Sequence, residues 1–307
     1  MISSTNAPIS KVAVLVATYN GAPFISSQFA SLLSQINVDF DVYVRDDQSS
    51  DCTCQIVNDA IKCPSVVLVQ DSAPSGSPAG NFFKLLSCID LKKYDYIAFS
   101  DQDDVWFPEK LKSAINYIQH NVADAYSSDL IAFDQSRFKA WHLSKCDNQK
   151  GFDYLFQGAS AGCTYVLSRN AAQLVLRVLG DLAHNFPVGH SHDWLIYAIC
   201  RSYGLKWVHD NRAFVAYRQH SVNAFGAMPG IRGMLKRLRL SRSGWYREQI
   251  VWQGQFLEQS PRELRVLEAV KNFRFKDRFY LVMNVSNFRR SRKDCFLLAV
   301  VIVFGLL

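Results

Sequence analysis

Ser100-Asp101-Gln102-Asp103-Asp104 sets three carboxylates within four positions, directly after the apolar run Tyr96-Ile97-Ala98-Phe99. Unpaired buried charges are too costly for such a cluster to sit in a dry core. At the end of a strand, it makes a hard, oxygen-rich site suited to Mg²⁺ or Mn²⁺, cations that commonly hold the phosphates of a nucleotide. The chemistry first suggested is therefore nucleotide-dependent and metal-assisted.

Three further groups bear on it. Thr18-Tyr19-Asn20, Asp46-Asp47 and Gly80-Asn81 each follow a strand-like run or begin a helix-like one. In an open parallel sheet the loops at the carboxyl ends of the strands converge on one crevice, where ligands bind. An aromatic ring, carboxylates that accept from base N–H or ribose hydroxyls, and a cation site together suit a nucleoside diphosphate. The chain has no G-x-G-x-x-G and no G-x-x-x-x-G-K-[ST], which disfavours dinucleotide and P-loop modes. His192-Asp193-Trp194 follows the small-residue stretch Gly158-Ala-Ser-Ala-Gly162; taken alone it reads as a helix cap or ion pair as readily as a catalytic base. Tyr217-Arg218-Gln219-His220-Ser221-Val222-Asn223 offers an imidazole and a guanidinium, or simply a solvated polar loop.

The elements that must position these groups alternate in βαβ fashion over the first half of the chain. Val12-Ala-Val-Leu-Val-Ala17 reads as a parallel strand covered on both faces, Phe24 to Ile36 as a helix, and Asp41 to Arg45 as the next strand. A helix over Thr53 to Ile61, a strand over Val66 to Val69, a helix over Asn81 to Ile89 and a strand over Tyr96 to Phe99 follow. Pro108 is suited to open a helix reaching about His120. Beyond it the alternation loosens, with strands at Leu130 to Phe133 and Gly162 to Leu167, helices at Asn170 to Leu179 and His192 to Ser202, and extended pieces at Trp207-Val208 and Phe214 to Tyr217. Trp106 and Trp194 suit either sugar stacking or packing, and the remaining histidines carry no comparable context.

The net charge of +7 is concentrated: residues 228–294 hold 16 Lys+Arg against 6 Asp+Glu. A near-neutral body with a basic C-terminal appendage points to a polyanionic partner for the appendage alone, with no nucleic-acid motif. Thirteen residues, Cys295 to Leu307, end the sequence as an apolar run. As a helix they reach roughly 20 Å, short of the ~30 Å hydrocarbon core, so an interfacial anchor with a basic collar is expected, a buried helix being the alternative. The eight scattered cysteines lack zinc or disulfide spacing, and the N-terminus lacks a signal-peptide pattern; reduced thiols in a cytosolic compartment follow.

Val14-Leu-Val-Ala-Thr-Tyr-Asn-Gly21, Arg45-Asp-Asp-Gln-Ser-Ser-Asp-Cys-Thr53 and Phe99-Ser-Asp-Gln-Asp-Asp-Val-Trp106 resemble glycosyltransferase family 2, and within it bacterial rhamnosyltransferases of surface-polysaccharide synthesis. The likeness covers roughly Lys11 to Gly226. It implies an α/β GT-A fold, a Rossmann-like mixed sheet flanked by helices, over residues 1–227, with a nucleotide-binding half (about 11–107) and an acceptor half (about 108–227). Residues 228–307 are the helical basic appendage. The resemblance makes Asp101-Gln102-Asp103 the D-x-D motif, with Asp103, His220 and Asp101 as ligands of Mn²⁺ or Mg²⁺ and Asp104 assisting from behind. It assigns the donor to Ala17, Thr18, Tyr19, Asp46, Asp47, Asn81, Asp101 and Arg218, and the base to Asp193, with His192 where Glu is usual. Gln48 stands where Gly is common, and Cys52 where another small residue is.

The reaction the resemblance implies is inverting transfer of L-rhamnose from dTDP-rhamnose, with UDP as the alternative nucleotide, onto a lipid-linked O-antigen or polysaccharide acceptor. The implied place is the cytoplasmic face of the bacterial inner membrane, on an anionic surface. The rivals are a sugar nucleotidyltransferase, whose basic Gly-rich N-terminal loop has no counterpart at Thr18 to Phe24, and a catalytically silent nucleotide-sugar-binding membrane subunit, against which Asp103 and Asp193 together argue.

Overall fold

A computed structural model describes residues 9–71, 73–145, 148–220 and 239–307; Ser221 to Asn223 and the first part of the basic appendage lie outside the described residues. Four parallel strands form one half of a single mixed sheet: β1 (Lys11–Thr18), β2 (Asp39–Asp46), β3 (Val66–Leu68) and β4 (Tyr96–Asp101). The other half holds β5 (Val105–Trp106), β6 (Ala125–Asp134), β7 (Lys139–Leu143), β8 (Val166–Ser168) and β9 (Trp207–Arg218). The order is β3-β2-β1-β4-β8-β6-β9-β5, with β7 on β6. The switch falls at β4, whose other neighbour β8 runs antiparallel.

The continuous apolar run of β1 has the meaning expected of it, because alternate side chains serve two different layers. Val12, Val14 and Val16 pack with α1 (Ile25–Leu33) and α4 (Lys110–Asn121). Ala13 and Leu15 pack on the opposite face with α3 (Pro78–Ser87), α5 (Arg169–Leu179) and α6 (His192–Ser202). α2 (Thr53–Ala60) covers the β2–β3 edge. Several elements differ from the sequence reading: Gly162–Thr164 is a 3-10 turn ahead of the three-residue β8, β6 starts at Ala125 rather than Leu130, and β5 had no expected counterpart. β9 is one twelve-residue strand rather than two extended pieces, and β7 was not anticipated, since its exposed edge shows no apolar alternation.

Among the described residues four C-terminal helices follow from Trp245: α7 (Trp245–Gln253), α8 (Pro261–Asn272), α9 (Phe275–Met283) and α10 (Arg292–Val303). Their inner residues Ile250, Val266, Val270, Leu281, Leu298 and Ile302 belong to the same apolar layer as Ala13, Leu15 and Phe99. Leu298, Ile302 and Leu307 are buried, so one face of the apolar tail is core, while Phe296, Val303 and Phe304 remain exposed. No helix among the described residues is long and apolar enough to cross a membrane.

Candidate active site

Register decides what the strand ends bring together. Ala17 lies beside Arg45 on one side and Asp101 on the other, and Thr18 pairs with Asp46. The sharp turns after β1 and β2 are locked to each other: Asn20 N–H donates to Ser49 Oγ (2.7 Å), and Ser50 N–H to Asn20 Oδ1 (2.8 Å). Gln48 has φ +64°, the left-handed region that favours glycine, which accounts for the glycine usual at this place. Tyr19 and Asn20 are exposed, and Thr18 is buried.

Several residues expected at the donor instead build the crevice. Asp46 accepts from Thr18 Oγ1 (2.8 Å), Ser49 N–H (2.8 Å), Ser49 Oγ (2.6 Å) and the Cys54 thiol (3.2 Å), so it and the buried Thr18 side chain hold the turn. Asn81 is buried beneath the crevice, donating to the carbonyls of Thr18 (3.1 Å) and Arg45 (3.2 Å) and accepting from Arg45 Nη1 (2.9 Å). Asp47 accepts from Arg45 Nη1 (2.9 Å), Ser75 N–H (2.6 Å), Ser75 Oγ (2.8 Å) and Gly76 N–H (3.0 Å). Burial alone would raise its pKa, but these bonds from Ser75, Arg45 and Gly76 outweigh it and hold the carboxyl below its usual range. The sequence reading passed over Arg45, which is buried and also reaches Asp71 (2.9 Å) and the Ala73 carbonyl (2.7 Å). A lone arginine ending the strand that carries Val42 and Val44 was the available signal.

Gln102 ties the acidic loop to the first turn, accepting from Tyr19 N–H (2.8 Å) and donating to the Tyr19 carbonyl (2.9 Å). A Cβ at Gly21 would stand 2.2 Å from Gln102 Oε1, so any larger residue there would push the Gln102 side chain aside. Asp103 Oδ2 and His220 Nε2 are 2.7 Å apart, and the imidazole stacks on Phe24 at 4.6 Å between ring centres. Arg218 braces the loop from the end of β9: its N–H donates to Asp104 Oδ1 (3.1 Å) and its Nε to the Asp103 carbonyl (2.9 Å). Its guanidinium lies 4.7 Å from the Phe133 ring centre and 5.3 Å from that of Phe24. Asp104 is fully buried, and burial first, then Asp103 and Asp101, keep its pKa well above the carboxylate range. Beneath it Lys110 is buried over the Trp106 ring (3.3 Å), and desolvation lowers its pKa to about 7.

His192 and Asp193 lie near the start of the acidic loop, the His192 ring 6.3 Å from that of Phe99. Ser191 caps α6, placing Asp193 in its first turn, and Asp193 Oδ1 accepts from Trp194 N–H (2.7 Å) and the Ser191 hydroxyl. Asp101 has its pKa pushed up to about 8, by burial first and then by the charges of Asp103 and Asp193, so the three carboxylates share one field. His192 turns inward, its ring 4.5 Å from Phe82, and burial lowers its pKa, leaving a neutral imidazole at physiological pH. A Cβ at Gly162 would meet His192 Nε2 at 2.7 Å, the close approach that the small-residue stretch permits. Trp106 and Trp194 are both buried as packing residues.

Asp103 and His220, 2.7 Å apart, offer a carboxylate and an imidazole of the kind a divalent cation takes, but among the described residues Asp101 does not close with them into a three-ligand cluster. A tighter trio, with ligand atoms within 4.8 Å of one another, is Asp101, Asp104 and Cys163. Asp104 and Cys163 are buried, and burial raises the pKa of both.

With this geometry in view, comparison with known proteins is direct. The family model "Glycosyl transferase family 2" matches residues 13–170. The dTDP-rhamnosyl transferase RfbG of Shigella flexneri is 36% identical over 240 residues, 76% of this chain and 82% of that protein. The Escherichia coli UDP-Glc:alpha-D-GlcNAc-diphosphoundecaprenol beta-1,3-glucosyltransferase WfaP is 24% identical over 68% of this chain and 78% of its own length. Among solved structures, S. aureus TarS 1-349 with UDP-GlcNAc superposes with TM-score 0.59 at 17% identity, over 97% of this chain and 82% of that one. Strand order, acidic loop and sequence kinship agree: this chain is a GT-A glycosyltransferase and belongs to glycosyltransferase family 2.

Proposed function

We propose that the enzyme transfers L-rhamnose with inversion from dTDP-rhamnose to a lipid-linked glycan of a surface polysaccharide, such as an O-antigen, while associated peripherally with the cytoplasmic face of the inner membrane. The observation that carries the reading is the acidic loop at the end of β4, with Asp103 paired to His220, in a chain 36% identical to a dTDP-rhamnosyl transferase. The kinship to RfbG supports the donor, and the diphosphoundecaprenol in the name of WfaP supports the acceptor class.

Asp193 Oδ1 is occupied by Trp194 and Ser191, leaving Oδ2 to take the proton of the acceptor hydroxyl. That oxygen attacks the anomeric carbon; the new C–O bond forms as the bond to the diphosphate breaks, and the nucleoside diphosphate leaves with the electron pair. Asp103 and His220, with Asp101 beside them, would hold Mn²⁺ or Mg²⁺, which supplies Lewis-acid stabilisation of the leaving phosphate. Tyr19 lies open to the base or ribose, Ala17 and Asp47 form the floor and wall of the crevice, and Arg218 adds positive charge at its rim.

The test is a donor panel of dTDP-, UDP- and GDP-sugars with Mn²⁺ or Mg²⁺. Turnover is expected with dTDP-rhamnose. Asp193→Asn keeps dTDP affinity and loses about 10²–10⁴-fold in transfer, whereas Asp103→Ala loses Mn²⁺-dependent dTDP binding. Retained transfer in the first variant or unchanged affinity in the second refutes the assignment.

A further inference from the structure

The two helices that end the chain, α9 and α10, are apolar on faces that nothing in the described structure covers. Along α10, Phe296, Leu297, Val300, Val303 and Phe304 are exposed at helical spacing, Phe296 and Phe304 at 69% and 70%. Along α9, Phe275, Phe279 and Met283 form a second stripe, four residues apart, at 80%, 65% and 68%. Arg278 donates to the Val303 carbonyl (3.2 Å), fastening the middle of α9 to the end of α10, so both stripes belong to one hairpin. Scattered single apolar residues on a surface need no explanation, but two ordered stripes rich in phenylalanine do.

We propose that this hairpin face is a docking surface for an anionic lipid bilayer, on which the helices lie flat. The inference rests on the reading that the acceptor is lipid-linked. Length excludes insertion end-on: twelve residues of α10 reach about 18 Å. Packing excludes withdrawal of the helix from the protein, because its inner residues Leu298 and Ile302 are core. Charge selects the occupant. Arg274, Lys276, Arg292 and Lys293 are exposed at the helix starts, against exposed Asp294; Asp277 is buried and paired with Arg265 (3.4 Å). Phenylalanines flanked by cationic side chains match an anionic headgroup layer over hydrocarbon. A second copy of the chain, related by a two-fold axis, would set these like charges facing each other.

The same hairpin is keyed to the acceptor side of the catalytic body. Arg290, next but one before α10, donates to the Gly158 carbonyl, and Phe288 stacks on Phe156 at 4.2 Å. Gly158 begins the stretch whose other end, Gly162, lies against His192 and Asp193. A bilayer held by α9 and α10 is therefore joined mechanically to the segment that meets the acceptor.

Flotation with vesicles of phosphatidylglycerol and phosphatidylcholine tests the proposal on the full chain, without any sugar donor. The wild-type protein is expected to float with the mixed vesicles and to lose most binding to phosphatidylcholine alone. Phe279→Ser/Phe296→Ser/Val300→Ser/Phe304→Ser alters only outward residues and should lower partitioning by about tenfold or more, with an unchanged thermal melt and unchanged donor hydrolysis. Arg292→Gln/Lys293→Gln should lose the preference for anionic vesicles. Absence of wild-type flotation, equal flotation of the quadruple variant, or a wild-type dimer that this variant converts to monomer overturns the proposal. Because flotation uses no substrate, an error in the donor or acceptor assignment leaves its outcome readable.

Discussion

Arg290 is the point at which a change far from the nucleotide crevice should reach catalysis. Its Nη1 lies 3.0 Å from His209 Nε2, its Nη2 donates to the Gly158 carbonyl, and its Nε is 3.5 Å from Asp153 Oδ2. Asp153 is fully buried and also takes Tyr197 Oη (3.1 Å) and Arg201 Nη1 (3.2 Å). Removing one partner of a buried ion pair costs about 3–5 kcal/mol. Two effects reduce that here: Asp153 keeps Tyr197 and Arg201, and it can take a proton, since burial already pushes its pKa up against the opposing charges of Arg201 and Arg290. A loss of about 2–3 kcal/mol is expected for Arg290→Gln, a fall in Tm of roughly 5 °C. Transfer should suffer beyond that loss, because the carbonyl of Gly158 is released beside Trp194, the residue that follows Asp193. Misplacing a reacting group by about 1 Å costs up to roughly 10²-fold. The assay measures transfer and donor hydrolysis at a temperature where both proteins are folded. Arg290→Gln should lower kcat for transfer about tenfold or more with the donor KM unchanged, and Arg290→Lys should recover part of it. A Tm decrease with normal transfer per folded molecule would refute the coupling and leave Arg290 as a packing residue.

Gln48→Gly relieves a left-handed backbone and should raise stability to urea by about 0.5–1 kcal/mol; a decrease would mean that the Gln48 side chain sets the turn. The fold should be acid-sensitive through His209, whose pKa is lowered to about 3 by burial first and then by Arg290 and Arg201. A depressed histidine binds its proton more readily when unfolded, so its stability contribution is complete above the unfolded pKa of about 6.5 and is lost as pH falls towards 3. Near pH 4.5 the loss is about 2–3 kcal/mol, read as the difference in urea stability between pH 7 and 4.5, and His209→Gln should flatten it; an unchanged slope would refute the assignment. Removing residues 295–307 takes Leu298, Ile302 and Leu307 out of the core. It should destabilise the fold by about 5 kcal/mol or more rather than yield a soluble enzyme, as a urea titration of the truncated chain would show.

The parts of the site legible in the sequence are those in which one segment suffices. The apolar run of β1 and the carboxylates closing β4 imply a covered parallel strand and a loop at its carboxyl end, and the register of β1 with β2 and β4 then follows from topology. The glycine-like position of Gln48 was legible as a departure from a pattern, and φ +64° gives its reason. Less legible was the division between residues that touch a ligand and residues that hold the crevice open. Asp46, Asp47 and Asn81 have the right chemistry for a nucleoside, yet Ser49, Ser75, Gly76 and Arg45 use most of their hydrogen-bonding capacity. A carboxylate's type says that it accepts; only packing says from what. Arg290 and Asp153 lie 137 positions apart in a basic segment and a loop, and no periodicity relates them.

The C-terminal run shows where such reading stops for a physical reason. Hydropathy sums over a segment, whereas a helix has faces, and an amphipathic pattern identifies the buried face only when the other is polar. In α10 both faces are apolar: Leu298 and Ile302 point inward and Phe296, Val300 and Phe304 outward. The choice between anchor and core, open on sequence alone, had assumed that one segment has one fate. The inner stripe fixes the helix to the catalytic body, and that fixation is what keeps the outer stripe from collapsing into the core. Rigid presentation of apolar side chains to solvent costs stability unless something covers them, and this cost would have no return in an enzyme whose acceptor diffused freely in water. Substitutions that spare the inner stripe are therefore the ones that separate folding from docking.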